Sequence, residues 1–437
     1  VYGSKLYELF NNGTKVEIGN LNSNTGRVAF AENGTLMMLV DGNSGYILRY
    51  KDANFTVITD EYFPGNSEGT LAPTHLVYID TYFVCNVPNT NEYYYSESYY
   101  QRDADDTLYD YDPLEPNGYW NPINSGKKFG RPDNLTAIGY CNNYLWLFGL
   151  NSNEVHYDTG NFDAQLFARY EGAILNVGCN APNSVATYAS NIFWLGTDAA
   201  GTLGVFTNDG MQPKRISLRG VEQIIQGFDN FHDCIGYTYA QAGHSFYVMH
   251  FPTESRTFVY DMFTNAWHER TFLDEFTGNL YAWKGIYGVQ AFDQLIFGDT
   301  TFSGMYSLDF NYYMNDNMHN TDYNWIRCCK TTPITYELGV NIRYNWLQVI
   351  ANSGYGQITD VSGVGSDPKI QVAWSNDTGI TWSNERTAPL GKQGEYSKRS
   401  MVLSCGMGRN RVWRLVITDP VPLILVALNI GAEPCRF

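Results

Sequence analysis

Residues 136–157 read TAIGYCNNYLWLFGLNSNEVHY. An alternating run, Thr136-Ala137-Ile138-Gly139-Tyr140, is followed by a turn and by a run that is apolar at every position, Tyr144-Leu145-Trp146-Leu147-Phe148. A second turn leads to Glu154-Val155-His156-Tyr157. A run with no polar face must be covered on both sides, so the stretch reads as strands of a sheet sandwiched between others. The same plan recurs around Val28-Ala29-Phe30, His75-Leu76-Val77, Ser184-Val185-Ala186, Ile235-Gly236-Tyr237 and Val289-Gln290-Ala291. The six starts, at 28, 75, 136, 184, 235 and 289, lie 47 to 61 residues apart. A period near 40–50 residues with about four strands per unit marks β-propeller blades, because one four-stranded sheet cannot bury both its faces alone.

The expected fold is therefore all-β: a six-bladed β-propeller followed by a small C-terminal antiparallel β-sandwich. An array of β-sandwiches is the alternative. Composition agrees with an all-β chain. Of 437 residues only 17% are charged, while 34 are Tyr and 41 are Gly. Tyr suits half-buried pleated surfaces and Gly suits tight turns. No run reaches the ~18 apolar residues of a membrane helix. The longest apolar run, from Val421 to Leu428, reads as a buried strand, with Pro420 and Pro422 placing it at an edge or a bend. Ser4-Lys5-Leu6-Tyr7-Glu8-Leu9 reads as a lone strand, available to close the ring. The chain opens at Val1 and shows no signal peptide, so a natural start upstream is expected.

Charge divides the chain. From Tyr323 onward there are 12 basic and 8 acidic residues, against 16 and 37 before it, within a net charge of −17. The change suggests a boundary there: a propeller over 1–322 and a sandwich over 323–437. The acidic part excludes a general DNA-binding surface, which needs clustered Lys and Arg. An acidic, Tyr-rich insertion at about 93–131 carries Tyr93, Tyr94, Tyr95, Tyr99, Tyr100 and Trp120, aromatic anchors of the kind recognition surfaces use. In the sandwich, Lys398, Arg399, Arg409, Arg411 and Arg414 form a basic cluster, suited to an acidic neighbouring subunit. Both groups are candidate partner interfaces.

Ser375-Asn376-Asp377-Thr378-Gly379-Ile380-Thr381-Trp382 fits the Asp-box pattern of sialidases and other propeller glycosidases. Those enzymes carry several boxes and bind the substrate carboxylate with three arginines; this chain has one box, beyond the blades. The structural reading is a hairpin turn in which the Asp377 carboxylate accepts backbone N–H groups and Gly379 takes positive φ, with Ser375 and Trp382 completing the box. A glycan-binding or glycan-cleaving, sialidase-like propeller remains the alternative function. No P-loop, nucleophile elbow or metal-ligand spacing is present, and the eight Cys are scattered, as buried single thiols would be. No catalytic residue, cofactor or metal is expected.

The order of motifs resembles the packaged DNA stabilisation proteins of short-tailed bacteriophages, the tail hub that closes the head after filling. The resemblance is carried by Ser4-Lys5-Leu6-Tyr7, by 136–155, by Gly220-Val221-Glu222-Gln223-Ile224-Ile225, by Phe246-Tyr247-Val248-Met249-His250-Phe251-Pro252, and by Val412-Trp413-Arg414-Leu415-Val416-Ile417-Thr418. It implies a virion protein assembled in the host bacterial cytoplasm: a homo-oligomeric ring, six copies, below the portal and adaptor. Needle, spike or fibre proteins would sit below or beside it, and double-stranded DNA would pass through its lumen without specific binding.

Overall fold

In the first five repeats the second strand is buried along most of its length. Tyr144–Gly149 has one half-buried residue, its first, and five buried ones, and Tyr82–Asn86 is buried throughout. Such strands need a cover on both faces, and the computed structural model supplies it by setting successive sheets side by side. It describes residues 1–51, 53–98, 120–161, 165–274, 277, 279–300, 304–309, 314–315, 324–325, 328–332, 340–356 and 365–435.

The chain divides into two compact units, Val1–Ser307 and Leu308–Phe437. The first is a β-propeller. Blade 1 is Ala29–Glu32, Leu36–Val40, Gly45–Arg49 and Asn54–Val57. Blade 2 is Leu76–Ile79, Tyr82–Asn86, Glu92–Ser96 and Trp120–Lys127. Blade 3 is Leu135–Cys141, Tyr144–Gly149, Asn153–Asp158 and Phe167–Leu175. Blade 4 is Ala186–Tyr188, Asn191–Thr197, Leu203–Asp209 and Gln212–Arg215. Blade 5 is Ile235–Gln241, His244–Phe251, Arg256–Asp261 and Ala266–Glu269. Blade 6 has three described strands, Gly285–Ala291, Gln294–Asp299 and Met305–Ser307. Each is an antiparallel meander in sequence order, and from blade 1 to blade 6 the first strand of each blade touches the first strand of the one after it.

The corners follow from local chemistry. Asn142 and Asn143 both take positive φ, 53° and 62°, the two-residue hairpin geometry whose twist matches the strands and which Asn tolerates. Aromatic rings fill the spaces between blades. Trp146 and Phe148 of blade 3 meet Trp194 of blade 4 at 6.1 and 5.4 Å, and Phe193 stacks on Tyr247 of blade 5 at 4.9 Å. Each such ring, fully buried, stabilises the fold by about 1.5–3 kcal/mol. A helix, Arg219–Gln226, links blades 4 and 5 and buries Val221 and Ile225.

At the axis the contacts are polar and close. Thr187 Oγ1–H donates to the Tyr140 carbonyl at 3.0 Å, and Thr238 Oγ1–H to the Thr187 carbonyl at 2.9 Å, so blades 3, 4 and 5 are stitched through their innermost strands. Gly236 comes so near blade 4 that a Cβ there would lie 2.1 Å from the Ser184 carbonyl oxygen.

Two expectations change. The N-terminal strand Lys5–Leu9 pairs with Lys15–Asn20, not across the ring. Its hairpin covers blade 1, where Leu6 and Leu21 cluster with Leu39 and Tyr46, and the Asn22 N–H bonds the Tyr46 hydroxyl at 2.6 Å. Leu6 is its one buried strand residue, and that side chain determines where the hairpin lies. Blade 6 starts at Gly285 rather than 289, because a bulge between Ile286 and Val289, with Tyr287 at φ 51°, breaks the alternation.

In the second unit one sheet orders Cys328–Thr331, Val412–Ile417, Lys369–Ser375 and Arg386–Pro389. The other has Ile342–Ala351 paired with Ser400–Leu403, Met407–Gly408 and Leu425–Pro434. Tyr344, Leu347, Val349, Ile370, Val372, Trp413 and Leu415 fill the space between them. The run expected as a buried strand from Val421 joins the ladder only at Leu425, and Ile424 and Val426 are exposed. Pro420 and Pro422 lie just before the ladder, where a ring in place of an N–H costs no bond.

Replacing Gly236 by Ala is expected to lower stability by about 1–3 kcal/mol through overpacking. Gly220, on the helix with open space around it, is the control: Ala there should be neutral or stabilising by up to ~1 kcal/mol. Thermal melts of the two variants check both.

Candidate docking surface

The stems of the insertion are built from aromatic side chains, and the structure puts most of them inside. Glu92–Ser96 is the third strand of its blade, so both its edges are paired and both its faces meet a neighbouring blade. Tyr93 is fully buried, with its hydroxyl 3.1 Å from His156 Nδ1. Tyr95 packs edge-on against Phe167 at 5.4 Å. Tyr94, on the opposite face, is half-buried against the blade 1–blade 2 core. Trp120 is buried edge-on against Phe63 at 5.0 Å, and its backbone N–H donates to Asp60 Oδ2 at 3.1 Å. Tyr93, Tyr95 and Trp120 therefore anchor the stems in the core and offer no surface to a partner. Tyr99 and Tyr100 lie outside the described residues.

The basic cluster of the sandwich divides likewise. Arg399 and Lys398 are exposed, and exposed Arg409 donates to Asn341 Oδ1 at 3.2 Å. Arg414 is half-buried, its guanidinium 4.5 Å from the Trp382 ring. Arg411 is fully buried, which corrects its place on the surface. Its guanidinium lies 4.1, 5.2 and 5.4 Å from the rings of Tyr344, Trp413 and Trp374. It donates to the carbonyls of Cys405 at 2.6 Å and Met407 at 3.1 Å, and to Asn376 Oδ1 at 3.0 Å. Arg386 covers Trp374 at 4.9 Å. A planar, weakly hydrated cation between aromatic faces is the form in which a buried charge is stable. The surface left for a partner is Arg399, Arg409 and Lys398, with the outer part of Arg414.

In the Asp-box hairpin, Asp377 Oδ1 accepts the N–H of Ile380 at 3.1 Å and of Thr381 at 2.9 Å, and Oδ2 accepts the Thr381 hydroxyl at 2.5 Å. Ser375 Oγ donates to Asp377 Oδ1 at 2.5 Å and accepts the Gly379 N–H at 2.8 Å. Gly379 has φ 102°. The Ser375 and Thr381 hydroxyls, with the backbone N–H groups, hold the Asp377 carboxyl well below the ordinary carboxylate range. Both oxygens are spent inside the turn, so neither is free to hold a sugar or a proton in transit.

One buried network was not legible as a motif. Lys128 pairs with Asp133 and donates to Ser152 Oγ at 3.0 Å, and Glu154 accepts the Gly130 N–H and faces His156 Nε2 at 3.2 Å. Burial pushes the Glu154 carboxyl up, but the bonds from His156 and Gly130 more than offset it and hold it below its ordinary value. Through Tyr93 this network ties the insertion's stem to blade 3. Its members come from 93 to 156 with no fixed spacing, so no local pattern marks them. Among the described residues no group of three or more His, Cys, Asp or Glu could hold a metal ion. Cys85, Cys141, Cys179, Cys234 and Cys405 are buried free thiols, whereas Cys328 and Cys329 are exposed.

Two family models match the chain: one described as Bacteriophage P22 Gp10, beta-propeller, over residues 1–313, and one described as Bacteriophage P22 Gp10, beta-sandwich, over residues 330–433. The chain belongs to this family. It is a structural, head-closure protein of the phage virion that stabilises packaged DNA, and the family's two modules are the propeller and sandwich seen here. No curated protein matches by sequence. Among solved structures, an exo-β-1,3-galactanase from Phanerochaete chrysosporium with β-1,3-galactotriose overlaps at 10% identity over 98% of this chain and 99% of that one, TM-score 0.32. A second structure of that enzyme overlaps at 9% identity over 99% and 100%, TM-score 0.31. A chain of the mitotic checkpoint complex overlaps at 9% identity over 68% and 81%, TM-score 0.33. Scores this low bear on neither fold nor function. For a member of the Gp10 family, a surface that docks is the relevant site, and the exposed arginines of the sandwich are its candidate.

Replacing Arg411 by Met should destabilise the sandwich by about 2–4 kcal/mol, since the buried Cys405 carbonyl and two part-buried acceptors lose a charged donor. Met at Arg409 should change stability by under ~0.5 kcal/mol. Denaturant titration of the two variants separates core from surface. Asp377 is held low in the folded state, so its contribution is present above the unfolded pKa and is lost only as pH falls through the depressed folded value. Amide protection of Ile380 and Thr381 should therefore persist at pH 4, and loss of protection there would contradict the turn's geometry.

Proposed function

We propose that copies of this chain form a closed ring, six in number, that docks below the portal and adaptor and surrounds the DNA exit path. Needle, spike or fibre proteins attach below or beside it. The observation that carries this reading is the division of charge within a Gp10-family chain: 16 basic and 37 acidic residues precede Tyr323, and 12 and 8 follow it. A net-acidic wall repels phosphate, so DNA slides past it without sticking. Closure is then mechanical, made by protein–protein contacts.

The same division supplies a means of joining copies. Arg399, Arg409 and Lys398 on the sandwich complement the acidic propeller of the next copy. Complementary rim charges speed encounter and fix register more than they add affinity. The insertion, with stems anchored by Tyr93, Tyr95 and Trp120, is the element available for spikes or fibres. The glycan reading gains nothing from the Asp-box, whose carboxylate is consumed by its own hairpin.

Electron microscopy of the chain mixed with its portal and adaptor should show sixfold rings. A chain that stays monomeric and never joins the adaptor overturns the reading. Reversing Arg399 and Arg409 to Glu should slow ring formation about two- to fivefold per charge, with an effect that fades at high salt. Unchanged kinetics at low salt would remove the charge contact.

A further inference from the structure

The sandwich has two flanks, and one of them is stitched shut. There Arg386 Nη1–H donates to the Leu403 and Ser404 carbonyls at 2.6 and 3.1 Å, and the Ser400 hydroxyl donates to the Pro389 carbonyl at 2.7 Å. These bonds join the outer strand of one sheet to that of the other. On the opposite flank the outer strands are Cys328–Thr331 and Leu425–Pro434. Among the described residues the first pairs only with Val412–Ile417 and the second only with Ile342–Ala351, and no hydrogen bond joins the two. Between them lies a cavity of about 270 Å³, whose lining includes Lys330, Leu415, Leu425, Val426 and Leu428.

An outer strand leaves a row of backbone N–H and C=O groups without a ladder partner, and proteins guard such edges with charged residues or Pro. From Leu425 to Gly431 the strand reads LVALNIG, which has neither; Glu433 and Pro434 come only at its far end. Val426 is the extra residue of a bulge and is 68% exposed. All four residues of Cys328–Thr331 are exposed. Lys330 stands opposite Leu415, which belongs to the core between the sheets, so Lys330 lies on the inward side of its strand, at the cavity. It forms no ion pair among the described residues. A cation there opposes a purely apolar strand and favours one that brings a carboxylate.

We infer that this open flank receives an extended segment of another virion protein by strand addition, one with alternating aliphatic side chains and a carboxylate that meets Lys330. Main-chain bonds to the free edges supply affinity, and the cavity takes the aliphatic side chains and so supplies specificity. The carboxylate forms a charge-assisted bond with the ammonium group. A second copy of this chain suits the groove less well, because two copies paired flank to flank would bring both Lys330 side chains into one groove. The inference does not rest on the number of copies in a ring.

Hydrogen exchange read by mass spectrometry tests this on the full chain in three states: free, self-assembled without partners, and in intact particles. Segments 328–332 and 424–431 should exchange fast in the first two states and at least about tenfold more slowly in the particle. Lys330→Glu should reduce that slowing by about threefold or more, or keep the folded chain out of the particle, while Lys330→Gln has a smaller effect. Slow exchange in the free chain would mean that the edges are covered from within. Slowing on self-assembly alone would assign the groove to a second copy. Either result overturns the inference, as would fast exchange in the particle or a Lys330→Glu chain protected like the native one.

Discussion

The innermost strand of a propeller blade has one edge with no strand beside it, and everything else in the first unit depends on how that edge is satisfied. Backbone carbonyls facing the axis have no ladder partner and take their donors from elsewhere. Here the next blade provides them: the hydroxyl of Thr187 for Tyr140, and that of Thr238 for Thr187. These bonds demand close approach, so Gly236 stands where any side chain would meet the Ser184 carbonyl. Once the inner strands are fixed at that distance, the facing sheets are near enough for Trp146, Phe148 and Trp194 to fill the gap.

The sandwich solves the same problem with a side chain. Carbonyls at Cys405 and Met407 are satisfied by the guanidinium of Arg411, and the aromatic faces of Tyr344, Trp374 and Trp413 make that charge tolerable away from water. The Asp-box hairpin is continuous with this arrangement, because Asn376 within it accepts from Arg411 Nε. What looks like a fragment of a glycosidase is thus a support for the core cation. Both units tie neighbouring elements together through polar contacts.

Much of the fold was legible because a blade's signature is local. The five-residue apolar strands, the turns and the near-constant period together predicted six blade starts, and five agree with the structure to within two residues. The sixth was hidden by the bulge at Tyr287. The docking residues were harder. Alternation separates inside from outside only where one face is wet, and a blade is dry on both, so Tyr93, Tyr95 and Trp120 read as surface anchors although they are core. Arg411 misled for the converse reason: no pattern in the sequence says that three rings will surround it. The bond from Arg27 to the Asn183 carbonyl joins residues 156 positions apart, beyond any local reading.

In the function proposed above, this head-closure protein retains DNA as a mechanical stopper and does not bind the duplex tightly. The most direct test is DNA leakage from filled, tailless heads bearing portal and adaptor, followed at physiological salt before and after the chain is added. The account predicts that leakage stops when the chain joins the heads, while the free chain leaves a duplex unshifted in a gel. Leakage that continues at the same rate with the chain bound would contradict it.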